Sequence, residues 1–212
     1  MIRAILFDLD NCLSAANEPG QQLLEPVFAA IRGQNHGRLS SESLEKVYFD
    51  CWRHPLDWVA AKHGFTKEML AAAWDACVGI EVPTPMHGYP DLAILPRLEA
   101  MRFLVTSGFR RLQESKVRAL GFAPCFTSIH IDAIDEPGRV GKREIFSQIL
   151  RDHALVPREV LVVGDNPDSE IEAGNELGIP TVQILRPGVP PGQNATHTIR
   201  SLTEIPPLLI RS

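Results

Sequence analysis

Near its N-terminus the chain reads Arg3-Ala4-Ile5-Leu6-Phe7-Asp8-Leu9-Asp10-Asn11-Cys12-Leu13, an apolar run that ends in two carboxylates. The continuous apolar block from Ala4 to Phe7 is typical of a strand buried on both faces in the middle of a parallel sheet. Side chains two residues apart on an extended chain point the same way, so Asp8 and Asp10 should project together beyond the sheet edge. Like charges held this close repel each other, and a bound cation is the usual remedy.

Two alternatives explain the paired aspartates without catalysis. A calcium-binding loop needs Asp or Asn at its fifth position, Gly at its sixth and Glu at its twelfth, where this chain has Cys12, Leu13 and Pro19. The carboxylates could also do no more than cap the segment after the strand, since Asp is common in such turns. The choice between these interpretations depends on the rest of the chain.

Composition restricts the class of protein. The 212 residues are 44% hydrophobic and 22% charged, as in an ordinary globular protein, and a net charge of −5 gives no indication of a nucleic acid polymer or an anionic membrane as partner. The sequence contains no apolar run of roughly 18 residues and its N-terminal block is too short for a signal peptide, so we expect a cytoplasmic protein that binds no membrane. The four scattered cysteines indicate reduced structural thiols.

The segment 14–88 differs from its surroundings because it shows helical signals and no convincing strand. Helices are predicted at 23–32, at 41–52 with Ser41 as N-cap, and at 66–78. All three tryptophans, Trp52, Trp58 and Trp74, fall in this segment. They are predicted to form the core of a small helical subdomain. The alternative is that one or two of them face a substrate, together with Tyr48, Arg53 or His54.

After the proline-rich connector 81–90 the pattern alternates between helix and strand. Helices are predicted near 90–101 and at 110–120, 142–153 and 169–177, and strands at 102–105, 126–131, 160–163 and 181–185. A possible edge strand at 195–199 and a last helix or turn at 202–209 complete the chain. Alternating strands and helices imply a parallel sheet with right-handed crossovers, which is a doubly wound α/β fold.

In such a sheet the ligand lies outside the carboxyl ends of the strands. Three of the predicted strands end there in polar residues, at Asp8, at Thr106 with Ser107, and at Asp165, and Lys142 opens the helix after the third strand. These groups should therefore converge although they are far apart in sequence. A dinucleotide site is not expected, because no G-x-G-x-x-G follows the first strand.

Convergent carboxylates, one lysine and a hydroxyl next to backbone amides suit phosphoryl transfer. Magnesium prefers carboxylate oxygens together with a substrate phosphate and water. Asp8 can attack phosphorus as a nucleophile, and Asp10 can protonate the leaving alkoxide and then activate water. Thr106 and the amides after it can bind the phosphoryl oxygens, while Lys142 neutralises their charge.

Four ordered motifs resemble those of the haloacid dehalogenase superfamily, specifically its phosphatase branch. The motifs are Phe7-Asp8-Leu9-Asp10-Asn11, Leu104-Val105-Thr106-Ser107-Gly108, Gly141-Lys142-Arg143-Glu144-Ile145-Phe146 and Val163-Gly164-Asp165-Asn166-Pro167-Asp168-Ser169-Glu170-Ile171. The resemblance implies Asp8 as nucleophile and Asp10 as acid and base. It also implies an α/β core domain at 1–13 and 89–212, with a helical cap domain at 14–88.

The resemblance further implies magnesium bound by Asp8, by Asp165 and by the backbone carbonyl of Asp10. The second acid of the fourth motif is usually Asp, and here Glu170 occupies that place, with Asp168 as the other candidate. Glu170 is predicted to hold the metal through water, because Glu is longer than Asp; the alternative is an ordinary surface acid in the first turn of a helix. Ser107 is predicted to bind phosphate with Thr106 and Lys142, although small polar residues also suit a tight turn.

The predicted activity is magnesium-dependent hydrolysis of a small phosphorylated metabolite, such as a sugar phosphate, a nucleotide or phosphoglycolate, by a monomer or homodimer. A sugar-phosphate mutase of the same family stays open, whereas a dehalogenase is disfavoured because Asp10 supplies a proton that carbon–halogen cleavage does not need. A phosphonate hydrolase would need a cap lysine, and no motif marks one. The alternative from another class is a non-catalytic phosphoacceptor or binding protein, with Asp132 as the acceptor of a receiver-like domain.

Overall fold

Six parallel strands form one sheet at the centre of the molecule. The computed structural model describes residues 1–83 and 85–210; Thr84 of the predicted connector and the last two residues of the predicted core domain lie outside the described residues. The strands are β1 Ala4–Phe7, β2 Met101–Gly108, β3 Ser128–Ala133, β4 Val160–Gly164, β5 Thr181–Ile184 and β6 His197–Ile199. Their order is β3-β2-β1-β4-β5-β6, which reverses direction around the first strand. The predicted doubly wound α/β fold is confirmed.

Helices lie between the strands and in one long insertion before β2. The insertion carries α1 Glu25–Asn35, α2 Ser41–Cys51, α3 Leu56–His63 and α4 Lys67–Val78. The later helices are α5 Arg110–Leu120, α6 Gly141–Asp152, α7 Glu172–Glu176 and α8 Pro206–Ile210. Short 3-10 helices occur at Gln21–Leu24, Pro90–Arg97, Ala123–Cys125, Pro157–Glu159 and Leu202–Glu204. Among the residues that the structure describes, no helix is long and apolar enough to cross a membrane.

The first strand is buried on both faces, as its continuous apolar run predicts. Ile5 and Phe7 belong to the hydrophobic cluster on one side of the sheet, and Ala4 and Leu6 belong to the cluster on the other side. β1 pairs with β2 on one edge and with β4 on the other, so every backbone polar group of this strand has a partner strand available. The carboxyl end of β1 is therefore fixed in the middle of the sheet.

A third hydrophobic cluster is formed by the helices of the insertion. It includes Val27 and Ile31 of α1 and Met69 of α4, and it also takes in Phe109 and Ile134, which follow β2 and β3. Because those two residues lie just beyond the carboxyl ends of their strands, the cluster packs against that edge of the sheet. The insertion therefore covers the edge at which the predicted site residues lie.

The insertion departs from the sequence prediction at two helices. The helix α3, Leu56–His63, was not predicted, because it follows the breaker His54-Pro55 and no side chain caps its N-terminus. The prediction of Ser41 as N-cap of α2 is wrong by one residue. The Ser40 side chain accepts a hydrogen bond from the Ser43 N–H at 3.2 Å, and the helix begins at Ser41.

Three later elements also differ from the prediction, either in the type of helix or in the residues at which they begin and end. The predicted helix near 90–101 is a 3-10 helix that ends at Arg97, since Pro96 cannot donate the hydrogen bond that an α-helix requires. The helix predicted at 169–177 begins earlier, as a π-helical turn at Pro167–Ile171 that continues into α7. The strand β3 lies two residues later than predicted, which brings Asp132 into the strand.

Arg186, which follows β5, forms a buried ion pair with Asp91 of the 3-10 helix Pro90–Arg97 and also contacts the loop after β1. Arg186 donates to both carboxylate oxygens of Asp91 at 2.7 and 2.9 Å and to the Cys12 carbonyl at 2.8 and 3.1 Å. Its guanidinium also lies 4.0 Å from the centre of the Tyr89 ring. Asp91 is half-buried, but hydrogen bonds from Arg186, from the Leu202 N–H and from the Ser201 hydroxyl hold its pKa below the ordinary value. Arg186 therefore fixes the backbone just after the two N-terminal aspartates.

Replacing Arg186 should destabilise the protein strongly, because the Asp91 side chain, which is 9% exposed, would lose the cation that neutralises it, and the Cys12 carbonyl would lose its donor. We expect Arg186→Met to lower the free energy of unfolding by about 3–5 kcal/mol. Urea denaturation followed by circular dichroism measures this. Arg32→Met, which removes an arginine from a surface pair with Glu25, is the matched control and should leave the unfolding midpoint nearly unchanged. An Arg186→Met protein as stable as the control would contradict the role given to this ion pair.

Candidate active site

The predicted site residues meet in one cavity at the carboxyl edge of the sheet. Asp8 follows β1, Thr106 and Ser107 lie at the carboxyl end of β2, and Asp165 follows β4. The cavity has a volume of about 510 Å³ and lies between these strand ends and the helical insertion. All seven predicted residues line it: Asp8, Asp10, Thr106, Ser107, Lys142, Asp165 and Glu170.

Lys142 is the centre of a buried charge cluster. Its Nζ atom donates to Asp8 Oδ1 and to Glu170 Oε2, each at 2.8 Å. Burial alone would lower the pKa of Lys142, but the two carboxylates raise it above the ordinary value and keep the ammonium charged. The α6 helix positions this lysine, since Lys142 is the second residue of that helix. One cation therefore compensates two buried acids.

The carboxylates exceed the positive charge that the chain provides at this point. Asp8, Asp165 and Glu170 each offer an oxygen, and these oxygens all lie within 4.8 Å of one another. Burial, with the neighbouring Glu170 and Asp8, raises the pKa of Asp165 to about 8. Burial raises the pKa of Asp8 to about 7, although Lys142 opposes the shift. The Arg53 guanidinium lies 4.0 Å from Asp165 Oδ2, so three buried acids face two cations. Three buried carboxylates in excess over these cations are a donor set that fits a hard divalent cation.

Glu170 is a buried member of the cluster and not a surface acid, so that alternative is wrong. Its side chain is 1% exposed, whereas Asp168 is exposed. Oε1 of Glu170 accepts a hydrogen bond from the Asn166 N–H at 2.7 Å, while Oε2 is bound to Lys142. Gly164 makes room for this carboxyl, because a Cβ atom at that position would overlap it. Because Gly164 of β4 has no side chain, the space next to it is open, and the Glu170 carboxyl occupies that space.

Asp10 is held by two residues of α5 that the sequence analysis did not identify. The Lys116 Nζ atom donates to both carboxylate oxygens, at 2.7 and 2.9 Å, and Gln113 Nε2 donates to Oδ2 at 3.0 Å. Gln113 also donates to the Ser107 carbonyl at 2.9 Å, so it links Asp10 to the end of β2. The sequence signal was the spacing of three between Gln113 and Lys116, which places both on one helix face. It was missed because a basic amphipathic helix suggests solvated lysines, yet Lys116 is 4% exposed.

Thr106 and Ser107 differ in what surrounds their hydroxyl groups. The Ser107 hydroxyl donates to Asp132 Oδ2 at 2.9 Å, and Asp132 also accepts from the Gly141 N–H at 3.0 Å and from Arg139 Nε at 3.0 Å. Asp132 thus organises the loop before α6 and has both oxygens occupied. Thr106 is 1% exposed and lines the cavity.

The insertion contributes aromatic and basic side chains to the far side of the cavity. Trp52 and Trp58 line it, and Trp58 stacks on the His54 ring with a separation of 3.7 Å. Trp74 does not line the cavity but packs against Phe109 at 4.9 Å. Arg53 also lines the cavity, and its Nη1 atom donates to the Gly188 carbonyl at 3.3 Å. Trp74 therefore packs in the core as predicted, while Trp52 and Trp58 line the cavity.

Comparison with known proteins gives the family. A profile of the haloacid dehalogenase-like hydrolases matches residues 2–178, most of the chain. The chain belongs to this family. The predictions of this superfamily and of an enzyme are therefore confirmed.

Known members of the haloacid dehalogenase-like family are similar over most of their length. A glyceraldehyde 3-phosphate phosphatase of Methanopyrus kandleri is 27% identical over 205 residues, covering 88% of this chain and 85% of the relative. A pyrimidine 5′-nucleotidase of Escherichia coli is 27% identical over 181 residues, covering 83% and 76%. The crystal structure of a phosphatase of the same family from Thermococcus onnurineus aligns with a TM-score of 0.65 and 21% identity, covering 99% of this chain and 98% of that one, and it supports the fold.

Two glycine substitutions should have opposite effects on stability. Gly164→Ala forces a methyl group into the Glu170 carboxyl, so we expect a loss of about 1–3 kcal/mol in the free energy of unfolding. Gly33→Ala lies in α1 with open space around the new methyl group, so we expect a gain of about 0.5–1 kcal/mol. Chemical denaturation of both variants measures the difference. Equal effects of the two substitutions would show that Gly164 is not needed to admit Glu170.

Proposed function

We propose that the protein is a magnesium-dependent phosphomonoester hydrolase that acts on a small phosphorylated metabolite through an aspartyl-phosphate intermediate. The observation that carries the proposal is the position of Asp8 at the end of the central strand, 2.8 Å from the buried Lys142 ammonium and beside two further carboxylates. Phosphoryl transfer needs a nucleophile surrounded by positive charge and metal-binding oxygens, which is what this edge of the sheet provides.

Asp8 is the proposed nucleophile. Its attack on phosphorus would release the alcohol and leave the phosphoryl group on the carboxylate, which divides one difficult displacement into two easier ones. Lys142 would neutralise charge on the phosphoryl oxygens while it remains held by Glu170. Thr106, with Ser107 beside it, would bind the same oxygens through its hydroxyl group and the backbone amides that follow.

Asp10 is the proposed general acid and base. It would give a proton to the leaving oxygen and later take one from the water that hydrolyses the phosphorylated Asp8. Lys116 and Gln113 hold its carboxylate by three hydrogen bonds and thereby orient it toward the cavity. We therefore propose both as positioning residues, which act through Asp10.

Magnesium is the proposed cofactor. Asp8 and Asp165 would hold it directly, with the backbone carbonyl of Asp10, and Glu170 would hold it through water because both of its oxygens already accept hydrogen bonds. A bound Mg²⁺ ion would supply charge stabilisation at the phosphoryl oxygens. The pKa values of Asp8 and Asp165, raised by burial, support this assignment, since a divalent cation would favour their ionised forms.

The segment 14–88 is proposed to act as a cap domain that covers the reaction, with the core domain formed by 1–13 and 89–212. Its helices pack against the edge of the sheet above Asp8 and supply one wall of the cavity. Closure of such a wall would exclude water while Asp8 attacks the substrate. The relatives named as phosphatases of glyceraldehyde 3-phosphate and of pyrimidine nucleotides support a small phosphate ester as substrate.

Substitution of Asp8 should abolish activity, because no other carboxylate occupies the attacking position. We expect Asp8→Asn to reduce phosphate release by at least about 10³-fold on every substrate of a panel of sugar phosphates, nucleotides and phosphoglycolate. Chelation with EDTA should abolish wild-type activity, and added Mg²⁺ should restore it. Asp75→Asn, which changes an exposed acid of α4 that does not line the cavity, is the matched control and should retain activity. Full activity of Asp8→Asn would rule out Asp8 as nucleophile.

Substitution of Lys116 should affect the rate more than binding. In Lys116→Met the Asp10 carboxylate loses two of its hydrogen bonds, so we expect kcat to fall roughly 10²-fold while KM changes little. Lys116→Arg should recover part of kcat, since it restores a cation. Steady-state kinetics on the best substrate of the panel measures both. A rise in KM with unchanged kcat would instead place Lys116 in substrate binding.

A further inference from the structure

The cavity has two chemically different ends. The acids, Lys142, Lys116 and Thr106 surround one end. The other end is lined by side chains of the hydrophobic cluster that the helices of the insertion form. These lining residues include Leu23, Val27, Leu56, Phe109, Leu112 and Ile134. A phosphate bound at the Asp8 end would direct the rest of its molecule toward that second end. The nature of the leaving group can therefore be inferred from the walls it would meet.

Polar partners are scarce at the apolar end. Among the lining residues, the charged or imidazole side chains that the insertion contributes are Arg53, His54 and Asp57. Asp57 accepts from Arg139 Nη1 and from the Trp58 N–H, each at 2.9 Å, while Arg53 donates to a backbone carbonyl. Burial lowers the pKa of His54, which stacks on Trp58. Asp57 and Arg53 therefore already have partners inside the protein, and burial favours the neutral form of the His54 ring.

Two cysteine thiols on this wall also lie in apolar, buried surroundings. Cys51 and Cys77 line the cavity, and burial raises the pKa of each to about 12. A hydroxyl group placed against the aliphatic side chains of this wall would lose its hydration without gaining a hydrogen bond, which weakens binding roughly tenfold or more for each hydroxyl. A carbon skeleton would instead gain from burial.

We propose that the alcohol portion of the natural substrate is a bulky apolar group, and not a polyhydroxylated chain or sugar. The inference rests on the proposed phosphatase function and names the substrate class of the same site. The cavity of about 510 Å³ is large enough for an organic group well beyond three carbons. Aromatic and branched aliphatic groups share the required chemistry, and the experiment separates them.

The test compares phosphate esters of primary alcohols, so that all leaving groups have similar reactivity. The apolar pair is 2-phenylethyl phosphate and 3-methylbutyl phosphate, and the polar pair is glycerol 3-phosphate and 2-hydroxyethyl phosphate. We expect kcat/KM to be roughly 10- to 100-fold higher for the better apolar ester than for either polar one. Whichever of the two apolar esters has the higher kcat/KM shows whether the cavity prefers an aromatic or a branched aliphatic group.

Matched variants locate the effect in the cavity. Leu23→Ser and Leu112→Ser alter half-buried leucines of the apolar wall, and each should lower the ratio of kcat/KM between apolar and polar esters by about 5- to 10-fold. Leu70→Ser is the control, because Leu70 is half-buried in the same hydrophobic cluster but does not line the cavity. Its ratio should equal that of the wild type.

The outcomes separate this inference from the proposed function. Faster release from the polar esters would overturn the inference and leave the phosphatase proposal intact. A ratio lowered equally by Leu70→Ser would also overturn it, because the effect would then come from the fold. If no phosphate ester is hydrolysed, the phosphatase proposal fails, and calorimetry with 2-phenylethylphosphonate and 2-hydroxyethylphosphonate decides the inference. Tighter binding of the phenylethyl compound supports it, and equal or weaker binding overturns it.

Discussion

Three carboxylates held around one lysine at the end of the central strand are the constraint on which the site depends. Burying Asp8, Asp165 and Glu170 together is costly, since each ionised group loses its hydration and repels the others. Lys142 offsets part of this cost by direct contact with two of the three. The remaining excess of acidic groups would favour the binding of a cation, which is the basis of the metal site proposed above.

The parallel sheet makes this concentration of charge possible. Because all six strands run the same way, their carboxyl ends and the loops that follow them meet at one edge. Phe7 is in register with Leu104 on one side and with Val163 on the other, and the Asp8 N–H donates to the Val163 carbonyl at 2.9 Å. The proposed nucleophile is thus placed by backbone hydrogen bonds of the sheet, while its partners come from loops and helix starts.

The sequence predicted those parts of the structure that depend on local pattern. The sheet, the course of α5 and the set of residues around Lys142 followed from apolar runs and from the motifs that end them. The contacts between Lys116 and Asp10 did not, because a lysine on an amphipathic helix is solvated unless a distant carboxylate lies above it. Whether Glu170 would be buried also depended on distant packing, since the space at Gly164 is a property of the folded strand. The helix α3 was missed for a local reason, because a proline precedes it and no polar cap marks its start.

The helix α5 connects the two ends of the cavity. Leu112 contributes to the apolar wall, whereas Gln113 and Lys116 hold Asp10. A leaving group that packs against Leu112 would therefore contact the same turn of α5 that orients Asp10, the proposed acid and base. In the proposed mechanism only the transition state needs Asp10 at the leaving oxygen, so contacts with the remote part of the substrate would be used to fix that geometry. The apolar wall would then contribute to rate as well as to selectivity, and the identity of the alcohol should affect kcat together with KM.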